Sequence, residues 1–219
     1  MQVAALVFDD LTALDIVGPI EVLARLPETV VIVVAADAHP VHDARGTWTI
    51  VPAAVLADVP RPDVLVVPGG PGVTTARRDE RIVRWIRAVH ESTSWTASVC
   101  TGSIILAAAG LLNGRRATTH WASKDELRGY GVVVTDERVT RDGRILTSSG
   151  VSAGIDLALQ LAGLIAGNDV AHMIQLLIEY DPEPPFQGGT EARAPGEIVE
   201  RATRHLANTR SMQHESGSG

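Results

Sequence analysis

Residues 94–112 read SWTASVCTGSIILAAAGLL, and the way they divide decides the fold. Residues 94–99 are a short strand-forming run, and residues 101–112 carry a helix that Gly110 and the Asn113-Gly114 pair bring to an end. Cys100 stands at the join, in the pentapeptide SVCTG of residues 98–102. Small residues on both sides of a nucleophile between a strand and a helix have the form of a nucleophile elbow.

Outward from that elbow the chain alternates short apolar or β-branched runs with longer helical patterns. That alternation predicts an α/β fold built as a three-layer α/β/α sandwich around a mostly parallel central sheet buried on both faces. Upstream, strands are expected at 3–8, 30–36 and 63–67, and helices at 13–26 and 80–91. The strand at 63–67 runs into PGGPG, residues 68–72, where a tight turn is required. Residues 39–55 have no helical period and read as irregular with a short hairpin.

Downstream, strands are expected at 117–119, 132–135 and 145–147, and helices at 123–128, 152–165, 169–180 and 196–208. The segment DPEPPFQGG, residues 181–189, cannot continue a helix and reads as a loop. Residues 1–210 are expected to form one domain, followed by a polar, glycine-rich, disordered tail at 211–219.

Composition narrows the function classes. Hydrophobic residues make up 45% and charged residues 21% of the 219, the balance of an ordinary globular chain with a large core. A net charge of −7 leaves no basic stripe for nucleic acid or an anionic membrane. The longest apolar run, 151–166, is broken by Asp156 and Gln160 and is too short to span a bilayer. The N-terminus lacks a basic start and meets acidic residues early, so it reads as a strand rather than a signal peptide, and a cytoplasmic location is expected. One cysteine can form neither an internal disulfide nor a structural zinc site, so no metal is expected.

In open α/β sheets ligands collect at the carboxyl ends of strands, and Asp15, Gly69-Gly70 and Cys100 all map to such ends. A thiol at a helix N-terminus is expected to have a lowered pKa. Asp15 reads first as a charge complementing the dipole of its helix; pointing at Cys100 and buried, it would instead stay protonated and act as an acid. Exposed N–H groups of Gly69 and Gly70 would stabilise negative charge on a bound intermediate. Thr101 reads as a helix cap whose hydroxyl is a second candidate for substrate. His120 could be a base partner of Cys100 or a structural histidine, and twenty residues of separation leave its direction open. Asp156 is assigned to dipole complementation. Trp121, Tyr180 and Phe186 are read as packing aromatics that could also line a pocket.

The segments LDIVGPIEVL (14–23), PGGPGV (68–73), SVCTGSIILAAAGLLNGRRATTHW (98–121), SGVSAGIDLAL (149–159) and IEYDPEPPFQGG (178–189) together resemble the ThiJ/PfpI superfamily. That resemblance implies a flavodoxin-like, class I glutamine amidotransferase-like fold. Its peptidase and glyoxalase branches carry Glu at the position of Asp15 and commonly His after the nucleophile, where this chain has Thr101. The similarity is strongest to a branch that hydrates isocyanides to N-substituted formamides without metal or cofactor. Carried over, Cys100 is the nucleophile, Asp15 the essential acid and Thr101 the threonine after the nucleophile. The resemblance further implies a thioimidate on Cys100, a small neutral isocyanide as the partner in the pocket, and a homodimer.

A contrasting expectation comes from similar domains at the front of AraC-type transcription regulators, where the pocket would sense a ligand. No basic DNA-reading segment follows residue 208, which disfavours a full regulator. Redox sensing by an exposed thiol is the remaining alternative.

Overall fold

The computed structural model describes residues 1–216, with side chains described through residue 208. In chain order it contains β1 Gln2–Leu6, α1 Ala13–Leu23, β2 Val30–Ala35, β3 Val41–His42, β4 Thr49–Ile50, β5 Ala54–Val55 and β6 Val64–Val67. Then follow α2 Val73–Ala76, α3 Glu80–Ser92, β7 Trp95–Val99, α4 Gly102–Ala108, β8 Arg116–Ala117, α5 Lys124–Arg128 and β9 Val133–Val134. The remainder is β10 Val139–Asp142, β11 Ile145–Ser148, α6 Ala153–Ala166, α7 Asn168–Leu177 and α8 Gly196–Ser216. Packing groups these into two compact units, Met1–Tyr180 and Asp181–Gly219.

The first unit is built on a seven-stranded sheet of order β10-β11-β7-β6-β1-β2-β5. Every neighbouring pair is parallel except β10 with β11. The unbroken apolar runs of β1 and β6 are explained by this position: Val3 to Leu6 and Val64 to Val67 are fully buried between helices on both faces. Each such Val or Leu side chain contributes about 1.5–3 kcal/mol of burial. α1, α6 and α7 pack on one another as one group, and α4 packs with α2, α3 and α5 as the other.

Helix boundaries follow local chemistry. Asp79 opens α3 by accepting the Arg81 N–H at 2.8 Å, and Gly167, at φ 91°, closes α6. α6 buries Ala153, Gly154, Leu157, Ala158, Leu161 and Ala162, one stripe at helical spacing.

Several expectations are corrected. The helix expected at 101–112 ends at Ala108, because Gly110 turns into the left-handed region at φ 79°. The strands expected at 117–119 and 132–135 are the two-residue β8 and β9, paired with each other outside the main sheet. The irregular 39–55 stretch contains the short hairpin as expected, β3 against β4, but its end adds β5 to the sheet edge. β10 was not expected; it folds back antiparallel on β11 over a turn with Gly143 at φ 61°.

The second unit holds the 181–189 segment, which forms no helix or strand, and α8. α8 runs beyond the expected end at residue 208 to Ser216, so residues 211–216 of the expected tail are helical. Residues 217–219 lie outside the described residues.

Candidate active site

β7 delivers Cys100 to the carboxyl edge of the sheet, between β6 and β11 in strand order. Cys100 has φ 57°, the left-handed region that a residue with a Cβ occupies at a cost of about 1–3 kcal/mol. The surroundings over-determine that conformation. Its N–H donates to the Ser148 carbonyl at 3.1 Å, while its own carbonyl accepts the Thr119 hydroxyl at 3.0 Å and the Ser103 hydroxyl at 3.3 Å. The elbow of the sequence reading is therefore present, with a strained residue at its corner.

α1 and the 68–72 turn supply the other half. Asp15 is fully buried, and its Oδ2 accepts the Gly69 N–H at 2.9 Å across 54 residues of sequence. Among the described residues Oδ1 has no hydrogen bond of good geometry, although the carboxyl interacts with the Cys100 thiol. Burial raises the Asp15 carboxyl to about 7 against the opposing pull of the Gly69 N–H and the thiol. A carboxyl at that value is neutral below pH 7, and its unpaired oxygen is the natural seat of the proton.

The thiol departs from expectation. Burial, and after it the neighbouring Asp15 charge, push Cys100 well above the usual thiol range, outweighing the Thr101 N–H and hydroxyl that pull it down. A helix N-terminus lowers a thiol pKa where water also reaches the sulfur; here the residue is 5% exposed, and α4 has only seven residues behind it. Desolvation raises both groups of the pair, so the thiol keeps its proton and Asp15 keeps its own below about pH 7.

Gly69 and Gly70 also play a different part from the one expected. Their N–H groups are not free donors: one is committed to Asp15, and the other donates to the Thr101 hydroxyl at 3.0 Å. A Cβ on Gly69 would lie 2.5 Å from the Thr101 nitrogen and 3.0 Å from Asp15 Oδ2, so only glycine lets the turn reach both. Thr101 is the residue preceding α4 but makes no side-chain cap; its hydroxyl bridges to Gly70 instead. Asp15, Gly69, Gly70, Cys100 and Thr101 thus converge.

The remaining candidates make contacts of their own. His120 Nδ1 accepts the Ala122 N–H at 3.3 Å, and its ring lies against Gly150 and, at a tilt of 38°, against Trp121. Asp156 does not merely complement a dipole; it pairs with Arg138 at 2.6 Å and accepts the Tyr180 hydroxyl at 3.0 Å. Phe186, in the second unit, is 82% exposed rather than packed. Among the described residues no group of three or more His, Cys, Asp or Glu side chains could hold a metal. No described helix is long and apolar enough to cross a membrane.

Sequence reasoning missed Ser148, Thr119 and Arg138. Ser148 contributes a carbonyl, which any residue would carry, and Thr119 gave no sign beyond standing next to His120.

A strained cysteine elbow beside a buried carboxyl on an α/β/α sandwich defines a protein class, and residues 1–164 match the DJ-1/PfpI family, to which the chain belongs. Within it, the chain is 41% identical to isonitrile hydratase of Pseudomonas putida, over 98% of this chain and 94% of that one. It is 32% identical to the HTH-type transcriptional regulator CdhR of Pseudomonas aeruginosa over 82% of its own length, but spans only 52% of that regulator. A ThiJ/PfpI family protein from Pseudomonas syringae has the same fold with a TM-score of 0.91 at 35% identity, covering 96% of this chain and 87% of that one.

Proposed function

We propose that the protein hydrates an isocyanide to an N-substituted formamide through a covalent thioimidate on Cys100, with Asp15 moving the protons. The observation that carries this reading is the buried Asp15 carboxyl, raised to about 7, whose Oδ1 has no hydrogen-bond partner of good geometry while the carboxyl adjoins the thiol. Likeness to an isonitrile hydratase along nearly the whole chain supports the substrate class.

Asp15 Oδ1 gives its proton to the terminal carbon of R–N≡C as the Cys100 sulfur bonds to that carbon, and the thiol proton passes to the Asp15 carboxylate. The product is R–N=CH–S–Cys100. Water then adds through oxygen to the same carbon while nitrogen takes up a proton. The C–S bond breaks with its electrons on sulfur, the hydroxyl proton returns to it, and R–NH–CHO leaves. Asp15 relays protons in both halves and ends as it began. The neutral thiol replaces the thiolate expected from the elbow alone. A linear terminal N≡C needs only a narrow opening, which suits a cysteine that is 5% exposed. Gly69, Gly70 and Thr101 hold the acid and the nucleophile in register. Metal and cofactor have no place in this scheme, and we include in it a homodimeric assembly and a cytoplasmic location.

The test is formamide production from an aryl isocyanide by the parent, Cys100→Ala and Asp15→Asn. Turnover by the parent, none by Cys100→Ala and far less by Asp15→Asn is expected, and equal rates in the parent and the alanine variant would exclude the nucleophile. Quenching during turnover should leave the whole isocyanide mass on the Cys100 peptide. The ligand-sensing alternative, favoured by the likeness to CdhR, predicts binding or a lasting adduct without formamide release. The redox-sensing alternative predicts oxidation of Cys100 by peroxide in place of turnover.

A further inference from the structure

We infer that Arg138, clasped to Asp156 and Tyr180, is a positioning residue that holds the 149–156 segment against the cysteine elbow. The inference rests on the proposed reaction only for its turnover readout.

Arg138 lies just before β10 and grips this segment at both ends. Its carbonyl accepts the Ser149 N–H at 3.0 Å. Its guanidinium reaches Ser152 Oγ at 3.3 Å and Asp156 Oδ2 at 2.6 Å and 2.9 Å from two of its nitrogens. From the turn three residues beyond α7 the Tyr180 hydroxyl donates to the same Oδ2 at 3.0 Å, and burial together with the Asp156 carboxylate keeps that phenol protonated. One side chain and its own backbone thus staple the turn that leads from β11 into α6.

The stapled segment touches the elbow on two sides. It starts one residue after Ser148, whose carbonyl holds the Cys100 N–H. It contains Gly154, where a Cβ would stand 3.1 Å from both Val99 methyls and 3.2 Å from Pro19, so α6 seats directly on the residue before the nucleophile and on the helix that carries Asp15. Ile155, next in line, packs over Gly18 of that helix, where a Cβ would lie 3.0 Å from its side chain. The clasp itself touches neither reacting group. It acts through the backbone that fixes where sulfur and carboxyl meet, and a misplacement near 1 Å costs as much as about a hundredfold in rate.

The experiment follows two properties of Cys100 in Arg138→Met, Asp156→Asn and Tyr180→Phe, with folding checked by thermal melting. The first is the pH profile of alkylation by iodoacetamide, which needs no isocyanide; the second is the split between kcat and KM for an aryl isocyanide. Release of the segment should admit water to the sulfur, so Arg138→Met and Asp156→Asn should move the alkylation midpoint to lower pH and speed the reaction. Their kcat should fall by about tenfold with KM little changed, because the clasp does not touch substrate. Tyr180→Phe, which removes one hydroxyl and keeps the ring, should give a smaller shift of the same sign, and Arg138→Lys should restore part of it. Folded Arg138→Met and Asp156→Asn proteins with the parent's alkylation midpoint would overturn the inference. If the alkylation shift appears while the parent turns over no isocyanide, the clasp stands and the reaction assignment falls. Should Arg138→Met not fold, Asp156→Asn and Tyr180→Phe decide by the same midpoint.

Discussion

Two aspartates of this chain lie out of solvent, and their carboxyls are shifted in opposite directions. Asp43, in the turn of the β3–β4 hairpin, accepts the backbone N–H groups of Thr47 and Trp48 at 2.7 Å and of Arg45 at 3.2 Å. These donors, led by Trp48, hold its carboxyl below the usual carboxylate range. Asp15 has a single N–H donor for two oxygens, and burial prevails. The two sites are close neighbours in the fold, since the hairpin hydrogen-bonds to the 9–12 loop leading into α1: Ala44 N–H donates to the Leu11 carbonyl and Asp10 N–H to the His42 carbonyl. Depth and donor count together separate a carboxylate that ties a loop from an acid that can give up a proton: Asp15 is the more desolvated and has one donor, whereas Asp43 has three.

The strongest way to break this contrast is to remove each acid. Asp15→Asn should lower kcat/KM for isocyanide by about a hundredfold or more, the scale of a lost general acid, whereas Asp43→Asn should leave turnover near that of the parent in the same assay. Loss of rate in both variants to the same degree would show that the contrast has no chemical meaning.

Titration sharpens it. Below about pH 7 Asp15 holds its proton, so the rate of thioimidate formation should be highest there and fall as pH rises through that value. A rate that climbs through pH 7 instead would assign the attack to a thiolate. Stability has its own signs. Asp15 binds its proton more tightly folded than unfolded, so it costs stability progressively from its ordinary value of 3.8 up to about 7 and fully above that. Denaturant titrations should find Asp15→Asn more stable than the parent at pH 8, by up to about 4 kcal/mol, with the difference gone at pH 3. Asp43, lowered when folded, stabilises at neutral pH and loses that effect as acid reaches its folded value. Asp43→Asn should therefore be destabilised at pH 7 and approach the parent on acidification.

The smallest expected effect is at Thr101. Thr101→Val removes the acceptor of the Gly70 N–H and should reduce kcat by several-fold, with Thr101→Ser close to the parent.

The main strands β1, β2, β6 and β7, the helices α1 and α3, and the elbow itself were legible because unbroken apolar runs and helical stripes are local signals, whereas the short β5 and α2 carry neither. Asp15, Gly69-Gly70 and Cys100 could each be placed at a strand end, and the strand order β7-β6-β1 is what brings those ends together. The raised Asp15 carboxyl was foreseen for a buried position beside Cys100, but the bonding of the glycine amides and the direction of the thiol shift were not. The thiol's elevation and the occupied glycine amides depend on how α1 and the 68–72 turn close over the elbow, and sequence spacing carries no measure of that burial. β10 was missed because Val139–Asp142 reads VTRD, with two charged residues that suit an edge strand and give no apolar run. Arg138 looked like any surface arginine, and only the antiparallel return of β10 brings it over the start of α6.

The crossing of the chain at Gly69 and Gly102 has a broader consequence. A Cβ at Gly69 would meet the Thr101 main chain, and one at Gly102 would overlap the carbonyl oxygens of Val67 and Pro68, so the two connections after β6 and β7 rest on each other peptide to peptide. The gauge of the reactive cradle is set by main-chain thickness, which no point substitution at the rim alters. Side chains around the mouth can differ in shape while the spacing beneath them stays the same, and neither glycine can take a Cβ unless the opposite strand connection moves away.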